Sequence, residues 1–105
     1  MKQLLNLYRP DPSSPERVGF ISSGGAIVEC ENIAQDPVYG FAVSGCDILA
    51  HLDAVATWHT HPGASSNLSM DDHSAFLNFP DMKHFIIGSD GVRCYEVRDG
   101  VIHAA

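Results

Sequence analysis

Ala54-Val55-Ala56-Thr57-Trp58-His59-Thr60-His61-Pro62-Gly63, continued by Ala64-Ser65-Ser66-Asn67-Leu68-Ser69-Met70-Asp71-Asp72, is the stretch from which the fold is read. Ala54–His61 reads as a central strand, ended by Pro62 and Gly63. Side chains alternate faces along a strand, so His59 and His61 point the same way and can meet one metal ion. Ala64–Leu68 is a polar loop. Ser69 and Asp72 then have capping-box spacing, which predicts a helix over Met70–Phe79 with Pro80 as its stop. Asp72 therefore arrives at a helix start as a third donor. Two histidines and one carboxylate, with a fourth position open to water, form the donor set that hydrolytic zinc requires. Asp71 points about 100° away around the helix and is the fallback ligand if the register is off by one.

Outward from this stretch, the chain reads as mostly strand. Ser44 and Asp47 repeat the cap spacing before a helix whose apolar contacts are Ile48, Leu49 and Leu52. Further upstream, Val18–Ile21, the turn Ser22-Ser23-Gly24-Gly25 and Ala26–Glu31 predict a hairpin. Residues 32–37 connect it to another short strand over Tyr39–Val43. Residues 3–8 suit one or two helical turns, and Pro10, Pro12 and Pro15 make the following segment stiff and irregular. Downstream, Phe85–Gly88, Val92–Val97 and Val101–His103 are strands, with Asp90-Gly91 and Asp99-Gly100 as turns. The expected class is α/β (α+β): one curved mixed β-sheet packed with two interior helices, as a single domain over residues 1–105.

Composition narrows the partners. The 105 residues carry thirteen acidic and six basic side chains, a formal net charge of −7. Lys2, Arg9, Arg17, Lys83, Arg93 and Arg98 are scattered, and nucleic-acid binding wants a basic stripe. A peptide or protein partner fits better. No segment approaches the roughly 20 apolar residues that cross a bilayer. The N-terminus lacks the apolar run of a signal peptide, so a cytoplasmic location is expected. Cys30, Cys46 and Cys94 form no C-x-x-C pair and read as free thiols of a reducing compartment.

Hydrolysis also needs a carboxylate that orients water and carries its proton. Glu16 lies between the proline segment and an apolar strand, where it can be partly desolvated. Composition alone does not choose it over Glu29 or Glu31, although Glu29 alternates with Val28 and Cys30 and belongs on a solvated face. Trp58 and Thr60 face away from the paired histidines, and Trp58 is expected in the core. His73 is expected at the surface, and His51, His84 and His103 have no ligand partner at useful spacing.

The run His59-x-His61-Pro62, seven residues to Ser69, then x-x-Asp72, resembles the signature of the JAMM/MPN (Mov34/MPN/PAD-1, JAB1) metalloprotease family. Pro15-Glu16-Arg17-Val18-Gly19 resembles the segment around that family's catalytic glutamate, and this singles out Glu16. Asn32 and Phe41 sit where the family's second and third strands carry such residues. The resemblance covers roughly residues 14–90 and is greatest to the small prokaryotic and phage tail assembly members. It implies a JAB1/MPN-like fold with Zn2+ held by His59, His61 and Asp72. Glu16 would be the catalytic acid/base, and Ser69 would stabilise the tetrahedral intermediate. The implied activity is that of a peptidase or isopeptidase acting on a peptide, a ubiquitin-like protein tail or a tail-assembly protein.

The chief alternative is a non-catalytic structural or assembly module, because folds persist after chemistry is lost. The retained Glu16 and three ligands argue against it. A zinc deaminase should offer H-x-E and P-C-x-x-C, and neither is present. Ligand identity alone does not separate zinc from manganese or iron.

Overall fold

The computed structural model describes residues 2–105. It is a small α+β domain, with three helices and one mixed sheet of six strands. A short helix α1 (Lys2–Leu5) precedes β1 (Val18–Ser22) and β2 (Ile27–Cys30), the expected hairpin, in which Val18 faces Cys30 and Ile21 faces Ile27. Helix α2 (Gly45–Ala50) leads into β3 (Ala54–Thr60), which pairs antiparallel with β1 and sets Val18 opposite His59. Helix α3 (Met70–Leu77) is the crossover from β3 to its parallel neighbour β4 (Lys83–Gly88). Strands β5 (Gly91–Arg98) and β6 (Val101–Ala104) follow as antiparallel hairpins. The order across the sheet is β2-β1-β3-β4-β5-β6.

Strand β3 is interior and covered on both faces. Trp58 packs with Leu4 and Ile87 on one side, while Phe76, Ile86 and Tyr95 form a second core on the other. Consequently Trp58, His59 and Thr60 are all buried, where an exposed sheet face would show alternation. Trp58 is in the core, as its size predicts. Gly19, opposite Trp58, makes this packing possible. A Cβ there would lie 1.9 Å from the Val28 carbonyl oxygen and 2.8 Å from the indole ring. Four-residue α1 would not be stable alone, and Leu4 anchors it against the indole.

The sheet departs from expectation between β2 and α2. Tyr39–Val43 is not a strand. The Asn32 side chain takes the backbone groups that a ladder would use. Its Oδ1 accepts from the N–H of Ala34 and of Ala42, both at 3.1 Å, and its Nδ2 donates to the Gly40 carbonyl at 3.0 Å. Ile33 N–H donates to the Ala42 carbonyl at 2.9 Å. Asn32 and Phe41 thus belong to one loop organised around an amide side chain. The β4–β5 turn falls on Ser89-Asp90, and Gly91 starts β5 at φ 114. Asp99 (φ 54) and Gly100 (φ 74) form the two-residue turn that the sequence predicts. No helix among the described residues is long and apolar enough to cross a membrane.

Candidate metal centre

His59 is the penultimate residue of β3, and His61 follows the strand's end. Backbone bonds extend the sheet just far enough to aim both. Thr60 N–H donates to the Arg17 carbonyl at 2.9 Å, and His61 N–H to the Ile87 carbonyl at 2.8 Å. The two Nε2 atoms come within 3.1 Å of each other. The loop after His61 returns α3 to the same face, and Gly63 accommodates it at φ 65 with Pro10 and Pro12 close by.

Asp72 reaches the pair from the first turn of α3. Ser69 Oγ accepts from Asp72 N–H at 3.1 Å, and Asp72 Oδ2 accepts from Ser69 N–H at 3.0 Å, so the predicted capping box is complete. The same carboxylate meets both imidazoles: Oδ1 lies 2.8 Å from His59 Nε2 and Oδ2 lies 3.0 Å from His61 Nε2. Asp71 is exposed and turned toward the Gly40 loop, so the fallback register is not adopted.

Glu16 approaches from the other side. Its backbone is clamped, with its N–H donating to the Pro37 carbonyl at 2.7 Å and its carbonyl accepting from Asn32 Nδ2 at 2.8 Å. Arg17 N–H donates to Thr60 Oγ1 at 2.9 Å, which ties the segment to β3. Glu16, His59 and His61 each offer one ligand atom, and these atoms lie within 4.8 Å of one another. Of the three carboxylates that composition left open, only Glu16 is buried. Glu29 is exposed and paired with Arg17, and Glu31 is exposed.

The two carboxylates are driven apart. Burial pushes Glu16 up to about 7; the nearby His61 opposes this, and Asp72 and Asp71 add to it. Burial acts the same way on Asp72, but the hydrogen bonds from His59 and His61 outweigh it and hold that carboxyl well below the usual range. Burial depresses His59, against the pull of Asp72. His61 is also penalised by burial, yet the Asp72 and Ser65 bonds raise it overall. His61 Nδ1 lies 2.8 Å from the Ser65 carbonyl and Nε2 3.0 Å from Asp72 Oδ2. The Ser65 carbonyl can only accept, so Nδ1 carries a hydrogen and Nε2 is the nitrogen turned to Asp72 and His59.

Two converging imidazole nitrogens and two converging carboxylates are a donor set that could hold a divalent cation. His59 and His61 would hold a cation through Nε2 lone pairs free of hydrogen, with the Asp72 carboxylate beside them. Ser69 is exposed at the mouth of a cleft of about 320 Å³, shared with Glu16, His61 and Tyr39. Its hydroxyl accepts from Asp72 N–H and still has its own hydrogen to donate.

The sequence reading missed the surroundings of this cluster. The Phe41 ring lies 4.4 Å from the His59 ring, and Phe76 meets His59 edge-on at 5.9 Å. His84, though without a ligand partner, is buried: its ring stacks on Phe76 at 4.2 Å, its Nε2 donates to the Phe79 carbonyl, and its Nδ1 accepts from Thr57 Oγ1. The parallel pairing that sets Thr57 beside His84 is the signal that would have located it. His73 is exposed, as expected. No protein-family model matches the chain, and no curated protein is detectably similar to it.

Proposed function

We propose that this chain is a zinc-dependent peptidase or isopeptidase of the JAMM/MPN kind. His59, His61 and Asp72 are the metal ligands, Glu16 is the catalytic acid/base, and Ser69 is a hydrogen-bond donor to the carbonyl oxygen. The observation that carries the proposal is the convergence of Glu16, His59 and His61 within 4.8 Å, with Asp72 bonded to both imidazoles.

A bound divalent cation supplies a lowered water pKa, toward about 7, and polarisation of the scissile carbonyl. The chain's own residues do the rest. Asp72 stays ionised and so is the ligand of the two carboxylates. Glu16, raised to about 7 by burial, is the group that can both take a proton from water and return it to a departing amine. Its anchored backbone spares the cost of ordering it. Ser69 can turn its hydroxyl hydrogen toward charge developing on the carbonyl oxygen while still capping α3.

The ground around the cluster suits an extended chain as substrate. The cleft with Glu16 and Ser69 shares Pro12, Val38 and Tyr39 with a neighbouring cleft, and shares Ser69 with another that reaches Met70 and His73. Tyr39, which lines the first two of these clefts, is 79% exposed, and Met70, which lines the third, is 89% exposed. Large apolar side chains left open there are contacts for a peptide or protein tail.

The test is zinc content per chain together with hydrolysis of tail peptides and isopeptide-linked peptides. Wild type should bind one zinc and cleave, and Glu16→Gln should bind zinc without cleaving. Absence of bound zinc, or equal cleavage by the variant, would contradict the assignment.

A further inference from the structure

Asp90 lies outside the cluster described above, yet a single peptide unit connects it to His61. His61 Nδ1 donates to the Ser65 carbonyl at 2.8 Å. The N–H of that same peptide unit, on Ser66, donates to Asp90 Oδ1 at 2.8 Å. Carboxylate, amide and imidazole thus stand in series, donor to acceptor, with His61 Nε2 at the far end. A peptide unit is planar, so fixing its N–H also fixes the direction of its C=O. A carboxylate that accepts from the N–H polarises the amide and strengthens the bond its oxygen receives.

The surrounding contacts hold this unit in place. Tyr95 donates its hydroxyl to the Ser66 carbonyl at 3.2 Å, and Ser89 N–H donates to the Ala64 carbonyl at 2.7 Å. Gly88 lets the loop lie flat on the sheet, since a Cβ there would fall 2.3 Å from Ser66 N and 2.5 Å from the Ser65 carbonyl carbon. Asp90 sits in the β4–β5 turn, and its one ion pair among the described residues is a loose contact with Arg93 at 3.8 Å.

We propose that Asp90 is a positioning residue for His61, acting through the Ser65–Ser66 peptide as the outer carboxylate of a ligand relay. Histidine ligands commonly donate their second ring N–H to a carboxylate or carbonyl, and losing that partner costs about 10–100-fold in metal affinity. Here a peptide group stands between the two, carrying orientation from a hairpin turn 29 positions beyond the histidine, as residues 61 and 90 are numbered. The inference rests on the metal-site reading for its purpose, while its geometry exists in the metal-free chain.

The experiment uses the full chain with Asp90→Ala, Asp90→Asn and Arg93→Ala. Zinc affinity is measured by competition with a chromophoric chelator. Hydrogen exchange of the His61 Nδ1–H is measured by NMR in the metal-free chain. Asp90→Ala should weaken zinc binding about tenfold and speed the exchange markedly. Asp90→Asn, which keeps an oxygen acceptor, should restore most of both, and Arg93→Ala should change neither. Asp90→Gly, compatible with a hairpin turn, replaces the Ala variant if the latter does not fold. Wild-type zinc affinity together with wild-type exchange in Asp90→Ala or Asp90→Gly would overturn the proposal. If wild type binds no zinc, the metal-site reading fails and the exchange measurement alone decides the role of Asp90.

Discussion

Helices α2 and α3 both start at Ser-x-x-Asp, and Ser44 and Ser69 each accept from the N–H of the aspartate three residues on at 3.1 Å. Their fates differ. Helix α2 buries no residue and leaves Leu49 69% exposed, whereas α3 buries Asp72 and Phe76. Residues 72 and 76 are one turn apart and share a helix face. Phe76 is seated against Ile86 and Tyr95 and stacked on His84, so its packing aims Asp72 at the two imidazoles. The same local cap is a helix start in one place and a candidate ligand site in the other. What separates them is burial: α3 seats Phe76 in the core, whereas α2 buries none of its residues.

Removing the two aspartates should give the widest contrast. Asp72→Ala should abolish stoichiometric zinc binding and reduce hydrolysis to background. It should also cost about 1–3 kcal/mol in the metal-free chain, because it leaves the buried His59 and His61 without their shared acceptor. Asp47→Ala should cost roughly 0.5 kcal/mol or less and leave zinc binding unchanged, as surface substitutions usually do. Chemical denaturation and zinc titration of the two variants check this.

Glu16→Gln should lower kcat by about 10²–10⁴-fold with zinc retained. It should also stabilise the metal-free chain at high pH. A carboxyl whose folded pKa is raised from 4.5 to about 7 binds its proton more tightly when folded. Its contribution to stability is therefore fully present below about 4.5 and lost as pH rises through about 7. The Gln variant should match wild type at pH 4 and exceed it at pH 8, by on the order of 1–3 kcal/mol after solvent screening. Melting curves across that range read the crossing.

The paired serines sharpen the comparison. Ser69→Ala and Ser44→Ala should each cost about 1 kcal/mol through loss of a cap. Only Ser69→Ala should also lower kcat, by about 10²–10³-fold, as for loss of an oxyanion donor. A stability loss without a rate loss would confine Ser69 to its cap. The smallest effect is that of pH on the metal. Because the His61 pKa is raised and its proton must leave, zinc affinity should rise with pH by up to about tenfold per unit, then level off once the ring is neutral. Zinc titrations between pH 6 and 8 would follow it.

Much of this was legible because it depends on short-range rules. Alternation along β3 put His59 and His61 on one side, and Ser-x-x-Asp marked both helix starts. The turns inside the β1–β2 and β5–β6 hairpins announced themselves through Gly24-Gly25 and Asp99-Gly100. The missed features depend on partners distant in sequence or on side chains replacing backbone. Tyr39–Val43 has strand composition, but Asn32 absorbs its hydrogen bonds. Alternation already put Glu29 on a solvated face, where it pairs with Arg17, but no local pattern says that Pro37 and Asn32 will clamp the Glu16 backbone. Asp90 looked like no more than a turn residue, because nothing local says that its carboxylate will meet Ser66 N–H.

The most direct test is a crystal structure of the zinc-loaded chain with anomalous data at the zinc edge. If the metal-site assignment holds, one zinc is bonded to His59 Nε2, His61 Nε2 and Asp72, with the Glu16 carboxylate beside the open position and not bonded to the metal. Zinc bound elsewhere, or bound by Glu16 with Asp72 left in its cap, would contradict it.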